Sequence, residues 1–198
     1  MSEKTDLKRQ LILESAAKVF SKKGYKTVTM KDIVEACDIS RGGLYLYFAS
    51  VEDIFLAVLE MQEQVADNEI SGEAFENASG GEILLWFLKS QKKEILKKKD
   101  NLLLAKYEYA FSCIDKKRTA FLKKEMDKAV LVLQNILERG TEGGEFACFD
   151  PKNEARDMMY AIEGMKLLSL TTGISEKKVD GEFLHMMERI VIEDESDF

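Results

Sequence analysis

Apolar residues recur at three- and four-residue intervals along nearly the whole chain, which is the spacing of one face of an α-helix. Short polar or glycine-containing stretches interrupt this pattern, among them Gly24, residues 67–81 and residues 141–149. The single proline, Pro151, follows Asp150, and an Asp cap before a first-turn proline favours helix initiation. The pattern therefore predicts an all-α protein.

The interruptions divide the chain into about nine predicted helices. Gly24 and Gly140 are expected to end two of them, because glycine is preferred in the left-handed conformation at helix ends. The predicted ranges are 7–23, a short pair within 29–48, 51–66, 81–99, 101–114, 116–139, 151–172 and 175–192. We expect a three-helix head in residues 1–50, a connecting helix in 51–66 and a larger helical body in 67–198.

Residues 29–48 predict two short helices joined by a tight turn. Thr29 and Ser40 stand where each helix needs a side-chain oxygen to cap its free N–H groups. Gly42 and Gly43 lie inside the second helix, where each costs about 1 kcal/mol relative to alanine. Close approach to another surface would explain them, and a short helix with a cationic end and tyrosine hydroxyls suits the DNA major groove. The alternative is two ordinary helices of an all-α core.

Charge is distributed unevenly between the head and the body. The whole chain has a net charge of −7, but residues 1–50 contain nine Lys or Arg and six Asp or Glu, a surplus of three positive charges. The remaining residues contain 20 basic and 30 acidic side chains. Because the head is basic and the body is acidic, the head is the part of the chain that would bind phosphate.

The cysteines and the chain start indicate the cellular context. Cys37, Cys113 and Cys148 are odd in number and lack a CxxC spacing, which argues against a disulfide framework or a zinc site. We expect a buried Cys37, and a redox-sensing role for Cys113 or Cys148 is an alternative. Residues 1–10 are polar, which argues against a signal peptide, and no apolar run approaches a membrane span. The expected location is cytoplasmic.

The sequence lacks the residue patterns that are typical of catalytic sites. His185 is the only histidine, and we find no metal-ligand cluster, nucleophile elbow or phosphate-cradling glycine loop. We therefore expect neither an enzyme nor a bound cofactor or metal.

The head carries a specific motif series: Ala17-x-x-Phe20-x-x-x-Gly24-Tyr25, then Thr29-x-x-x-Ile33, then Ile39-Ser40-Arg41-Gly42-x-Leu44-Tyr45-x-Tyr47-Phe48. This series resembles the TetR family of bacterial transcriptional repressors, over about residues 7–60. The body resembles the family in helix number and spacing and in its turn at residues 140–149. The resemblance implies an N-terminal helix-turn-helix DNA-binding domain and a C-terminal domain for ligand binding and dimerisation.

The resemblance also implies the partners. We expect a homodimer formed through the last two helices, a palindromic double-stranded DNA operator, and a small-molecule effector that releases the repressor. The expected phosphate contacts are Thr29, Lys31, Ser40, Tyr45 and Tyr47, the expected base-edge neighbours are Arg41, Gly43 and Leu46, and Gly42 lies among them. The alternative for Arg41 is a phosphate contact, and the alternative for each tyrosine is packing in the core. Ala49 and Val51 depart from the family pattern, since many relatives have lysines there. Their absence removes phosphate contacts and should flatten the salt dependence.

Aromatic and methionine residues of the body are candidates for the effector pocket. They are Trp86, Tyr107, Phe111, Phe121, Met126 and Tyr160. A cavity lined by them would favour an apolar or aromatic ligand, and the alternative for each is plain core. Glu108 and Glu163 are expected to be exposed, and either would select a cationic ligand if it faced inward. The alternative function is a helical small-molecule-binding or interaction protein without DNA binding.

Overall fold

The computed structural model describes residues 3–70, 73–98, 101–112 and 116–191. This part of the chain forms ten helices and no strand, and one antiparallel bridge pairs Phe146 with Val191. The helices are α1 (Glu3–Lys23), α2 (Met30–Cys37), α3 (Arg41–Tyr45), α4 (Val51–Ile70), α5 (Glu73–Glu76), α6 (Gly80–Leu96), α7 (Leu103–Ser112), α8 (Lys116–Glu142), α9 (Pro151–Leu170) and α10 (Glu176–Glu188). The predicted all-α fold is confirmed, and the added helix is the single turn α5.

Helix starts agree with the predicted caps. Thr29, Ser40 and Asp150, which the sequence predicts as caps, each accept a hydrogen bond from the backbone N–H three residues further on, and Ser175 does the same at the start of α10. Such a bond is local in the sequence, and it satisfies one of the N–H groups that a helix start leaves free. The stretch predicted as a loop, residues 67–81, is partly helical instead, since α4 continues to Ile70 and α5 lies within it.

Gly140 does not end α8, and the prediction that it does is wrong. The helix continues to Glu142, and Gly140 lies where α8 meets α6. A side chain on Gly80 would overlap the Gly140 backbone, and a side chain on Gly140 would overlap the Phe146 ring. Gly80 therefore allows α6 to approach α8, and Gly140 leaves the space that the Phe146 ring fills.

The described residues belong to two compact units. The first unit combines Met1–Ile70 with Lys98–Ile114, and the second combines Ser71–Lys97 with Asp115–Phe198. The first unit thus contains α7 in addition to the three-helix head and α4. This spatial grouping differs from the division into 1–50, 51–66 and 67–198 that the sequence suggests for function.

Aromatic rings form the centre of the first unit. Phe20 of α1, Phe55 of α4 and Tyr109 of α7 are almost completely buried. The Phe20 and Phe55 ring centroids lie 4.8 Å apart, and Tyr25 meets Tyr109 edge-on at 5.0 Å. The Tyr109 hydroxyl donates to Glu52 Oε1 at 3.0 Å, which satisfies its polar end. These contacts hold α7 against the head and α4.

The second unit is a bundle of α6, α8, α9 and α10 around an aliphatic and methionine core. The start of α6 is held by Glu145, whose carboxylate accepts hydrogen bonds from the Ser79 hydroxyl at 2.7 Å and from the amides of Gly80 and Gly81 at 2.9 and 3.1 Å. These bonds keep the pKa of Glu145 below its usual range, the Ser79 hydroxyl contributing most. A negative charge at a helix N-terminus is also favoured by the helix dipole.

The far end of α6 is held by ion pairs. Lys92 contacts Glu176 at 2.8 Å and Asp180 at 2.6 Å, both on or next to α10. Glu94 contacts Lys166 of α9 at 3.0 Å, and Lys166 is a buried charged residue. Both ends of α6 are thus fixed within the second unit. None of the helices described here has an apolar stretch long enough to cross a membrane.

Candidate nucleic-acid interface

The first helix of the helix-turn-helix pair, α2, begins with a reciprocal cap. Thr29 Oγ1 accepts from the Asp32 amide at 3.3 Å, and the Thr29 amide donates to Asp32 Oδ2 at 2.8 Å. Lys23 at the end of α1 contacts the same carboxylate at 2.5 Å. The Lys23 hydrogen bond, followed by those of Thr29, lowers the pKa of Asp32 to about 2. The carboxylate therefore stays charged and ties α1 to the start of α2.

The turn between α2 and α3 depends on one left-handed residue. Asp38 has φ of 51° and ψ of 48°, a conformation that Asp and Asn tolerate better than most side chains. Ser40 then caps α3 by accepting from the Gly43 amide at 3.1 Å. Helix α3 ends at Tyr45 and a turn follows, so the prediction that it runs to Phe48 is wrong. The second helix of the pair is little more than one turn.

Helix α3 buries one side and exposes the other. Leu44 is completely buried and Phe48 is 6% exposed, so they anchor α3 and the turn after it to the first unit's core. Leu46 is 85% exposed and Tyr45 is 44% exposed. The Arg41 guanidinium lies 5.6 Å from the centre of the Tyr45 ring. An exposed arginine, tyrosine and leucine on one short segment form a surface that can meet base edges and phosphates.

The two glycines of α3 have different surroundings. A side chain on Gly42 would meet nothing within 4 Å, whereas one on Gly43 would lie 3.1 Å from the Ser40 hydroxyl. Packing within the described protein therefore accounts for a small residue at 43 but not at 42. Open space around Gly42 agrees with the expectation of close approach by another molecule.

The other predicted phosphate contacts differ in how free their polar groups are. The Thr29 and Ser40 oxygens take part in the caps described above. The Lys31 side chain is 83% exposed and lies 3.7 Å from Glu35, a distance at which an exposed pair contributes little. Tyr47 is half-buried. Lys31 and Tyr45 are thus exposed side chains whose polar groups the caps do not use, and the two caps position the backbone around them.

Arg9 is a charged neighbour of this surface that the sequence analysis did not single out. Its guanidinium lies 5.3 Å from the centre of the Phe48 ring, which brings a positive charge from α1 next to the end of the helix-turn-helix pair. The sequence contains a signal for a basic head but none for this contact, because Arg9 and Phe48 are far apart in the chain.

The predicted effector-pocket residues do not lie together within one unit. Tyr107 and Phe111 belong to the first unit, where their rings stack at 6.2 Å and Phe111 is 66% exposed. The other four belong to the second unit: Trp86 packs edge-on against Phe75 at 5.2 Å, Phe121 and Met126 are half-buried, and Tyr160 is 58% exposed. A shared pocket stays a prediction.

A shallow cavity of about 350 Å³ follows α8 and contains none of those six residues. Its lining is Ala120, Lys123, Lys124, Asp127, Lys128 and Leu131. Glu163, expected to be exposed, is half-buried and contacts Lys166 at 3.0 Å, while Glu108 is half-buried in the first unit. Neither carboxylate lines this cavity.

The described residues hold no group of three or more metal-ligating side chains. Burial raises the pKa of the Cys148 thiol, which lowers its thiolate fraction and disfavours the redox alternative for that residue. Cys37 is half-buried rather than buried, and burial raises the pKa of its thiol as well. Cys113 lies outside the described residues.

Comparison with known proteins identifies two family domains. Residues 12–58 match "Bacterial regulatory proteins, tetR family", and residues 83–180 match "Tetracyclin repressor-like, C-terminal domain". The chain is 31% identical over 150 residues to the uncharacterized HTH-type transcriptional regulator YfiR of Bacillus subtilis, which covers 75% of this chain and 73% of that protein. It is 24% identical to the HTH-type transcriptional regulator QacR of Staphylococcus aureus, with 84% and 88% coverage.

A solved structure supports the fold. A transcriptional regulator from Saccharomonospora viridis, crystallised in complex with choline, superposes with a TM-score of 0.77 at 21% identity. The alignment covers 94% of this chain and 99% of that one. Together with the two matched domains and the exposed α3 surface, these relatives lead to one conclusion. The chain belongs to the TetR family and is a helix-turn-helix transcriptional regulator.

Proposed function

We propose that this chain is a homodimeric repressor that binds a palindromic operator through α3 and leaves it when a small molecule binds. The observation that carries the proposal is the α3 surface. Leu44 and Phe48 anchor it from behind, while Arg41, Tyr45 and Leu46 project from it. A segment that is fixed on one side and exposed on the other suits insertion into a major groove.

Each exposed group has a proposed role in DNA recognition. The Arg41 guanidinium has the fork geometry that pairs with guanine, and Leu46 offers an apolar contact to a thymine methyl. The Lys31 ammonium and the Tyr45 and Tyr47 hydroxyls are assigned to phosphates, which fix the register without reading sequence. Gly42 and Gly43 let the backbone approach the bases.

The proposed dimer interface lies on the outward faces of α9 and α10. Along α9, Tyr160, Leu167 and Leu168 are between 41% and 58% exposed and lie at helical spacing on one side. Leu184 of α10 is 54% exposed. The opposite side of each helix packs into the core of the second unit. Exposed apolar side chains that share one face of a helix favour an interface at that face.

Dimer geometry would set the operator. Two heads related by a two-fold axis would meet half-sites separated by one or more helical turns of about 34–36 Å. An effector that lowers operator affinity must bind the DNA-free dimer more tightly, by the same factor. We propose an apolar or aromatic effector, and the candidate contacts are kept separate for each unit: the stacked Tyr107 and Phe111 rings in the first unit, and the half-buried Trp86 in the second.

The proposal is tested by footprinting the purified protein on DNA upstream of its own gene, at two salt concentrations. A protected, roughly palindromic site is expected. Tyr47→Phe is the matched variant, since it removes one hydroxyl and keeps the ring, and it should weaken binding to all sequences by a similar factor. Arg41→Ala should in addition relax the sequence preference if that side chain reads a base.

A folded dimer that protects no site, in this DNA or in a genome-wide selection of bound fragments, would contradict the repressor proposal. An unchanged operator preference in Arg41→Ala would restrict that residue to a phosphate contact. Once a footprint exists, aromatic and apolar compounds can be screened for release. Trp86 is the only tryptophan, so its fluorescence reports binding nearby.

A further inference from the structure

Glu108 of α7 reaches the turn that joins α1 to α2. Its Oε2 atom accepts a hydrogen bond from the Lys26 amide at 3.0 Å, across 82 positions of the chain. The two residues belong to the same compact unit. A hydrogen bond to a charged acceptor is stronger than one between neutral groups. The Glu108 carboxylate thus supplies the hydrogen-bond acceptor that the Lys26 amide would otherwise find in a helix or a sheet.

Gly24 leaves the space that the carboxylate occupies. Its φ of +75° is a left-handed conformation, and a side chain built on it would overlap the Glu108 carboxylate. The backbone conformation therefore disfavours a larger residue, and a side chain placed there would have to push the Glu108 carboxylate aside. The turn and the carboxylate fit each other, which a chance surface contact would not require.

The same turn leads directly into the predicted phosphate-contacting end of α2. The Thr27 hydroxyl donates to the Lys23 carbonyl at 2.7 Å, and Val28 is 7% exposed in the core. Thr29, the cap of α2, is the next residue, and Lys31 lies in the first turn of that helix. The position of the turn consequently determines the positions of Thr29 and Lys31.

We propose that Glu108 is a positioning residue for operator binding, acting from behind the head by fixing the α1–α2 turn. This inference rests on the operator binding proposed above. It predicts that the charge of Glu108 and its hydrogen bond have opposite effects on operator affinity. A carboxylate in the DNA-binding unit repels phosphate, so loss of its charge alone would strengthen binding. Loss of its hydrogen bond should weaken binding instead.

Two variants of Glu108 distinguish the effect of its charge from the effect of its side-chain length. Glu108→Asp keeps the charge but is one methylene shorter, and Glu108→Gln keeps the length and an acceptor oxygen but loses the charge. Glu60→Gln, at an exposed position of α4, is the matched charge control. We expect Glu108→Asp to bind the operator about tenfold more weakly, and Glu108→Gln to stay within about twofold of Glu60→Gln.

The salt dependence of binding distinguishes positioning from simple destabilisation. If Lys31 of both heads loses its phosphate, the slope of log affinity against log salt should fall by about 1.8 in Glu108→Asp. A variant that is only less stable would contain fewer active molecules but keep the wild-type slope. Thermal melting and sedimentation of each variant verify that it is a folded dimer.

A folded Glu108→Asp dimer with wild-type affinity and slope would overturn the inference, as would Glu108→Gln binding as weakly as Glu108→Asp. If Glu108→Asp does not fold, Gly24→Ala displaces the carboxylate from the other side, and unchanged operator binding by that folded variant would equally overturn the inference. Failure of the wild-type protein to protect any operator would count against the proposed function and not against the Glu108 contact. That contact can be tested without DNA, by measuring how strongly the Lys26 amide is protected from hydrogen exchange.

Discussion

Replacing both Glu94 and Glu163 by glutamine should strongly destabilise the second unit. The two carboxylates each lie 3.0 Å from the Lys166 ammonium, and the Lys166 side chain is only 9% exposed. Glutamine preserves the shape and an acceptor oxygen of each side chain. The double variant therefore leaves a buried cation without a counter-charge, which is the costly way of breaking a buried ion pair.

The size of the effect follows from the geometry. At 3.0 Å and an effective dielectric constant of about 20, each pair gains on the order of 5 kcal/mol before the cost of removing the lysine from water is subtracted. Breaking such a buried arrangement costs about 3–5 kcal/mol. Glu94 is 29% exposed and Glu163 is 33% exposed, so water screens both, and we expect about 3 kcal/mol. A single replacement should cost about 1 kcal/mol, because the other carboxylate remains.

Urea unfolding at pH 7 and one fixed protein concentration measures this loss. With a slope of about 2 kcal/mol per molar urea, the midpoint of the double variant should fall by about 1.5 M. Glu142→Gln with Glu182→Gln, at two exposed positions of the same unit, makes the same charge change and should shift it little. Equal midpoints for the two double variants would refute the reasoning.

The pH dependence supplies a second check on Lys166. Burial opposes its charge, but Glu94 and Glu163 outweigh this and raise its pKa above the usual 10.5. The pairs therefore stabilise the fold fully below pH 10.5, and their contribution is lost as the pH rises through the higher folded-state value. Without the carboxylates, burial alone would lower the pKa of Lys166 in the double variant. Its deficit relative to wild type should then shrink as the pH rises towards 10.5.

Three further changes test other contacts. Asp32→Asn removes a carboxylate whose pKa is lowered from 3.8 to about 2. The wild type should therefore be more stable than the variant above pH 4 and lose that advantage as the pH falls from 3.8 to 2. Urea unfolding across this pH range measures the difference. Lys31→Ala should reduce the salt slope of operator binding by about 1.8 per dimer, and an unchanged slope would exclude a phosphate contact. Gly140→Ala drives a methyl group into the Phe146 ring and should destabilise the fold by about 1–3 kcal/mol, seen as a lower melting temperature.

Local signals in the sequence carried the helix-turn-helix prediction. The Thr29 and Ser40 caps each bond an amide three residues away, so the residue type and its position before an apolar run predict the contact. Leu44 and Phe48 are both buried as their one-turn spacing indicates. The motif series lies within residues 12–58, which match the N-terminal domain of the family. The end of α3 was overestimated because the turn after it keeps helical spacing of its apolar residues.

Contacts between distant residues were not predictable in the same way. Glu163 and Lys166 alone would be interpreted as an ordinary exposed pair on one helix face, and only the position of Glu94 on α6 shows that the lysine is buried between helices. Glu108 is expected from the sequence to be exposed, but it is half-buried and accepts a hydrogen bond from the Lys26 amide. Gly140 resembled a helix end, but α6 approaches α8 at that point. Glu94, the Lys26 amide and Gly80, the partners in these three contacts, each lie more than fifty residues away in the chain.

The sequence by itself determined the all-α class, the helix starts and the DNA-reading segment, because helical periodicity and capping depend on residues within one or two turns of each other. Tertiary structure decided which charges are buried, which glycines serve packing and which helix supports the head. Burial and close approach depend on where separate helices meet, and that is set by the fit of all their side chains together. Lys166, Gly140 and Glu108 have their roles for this reason.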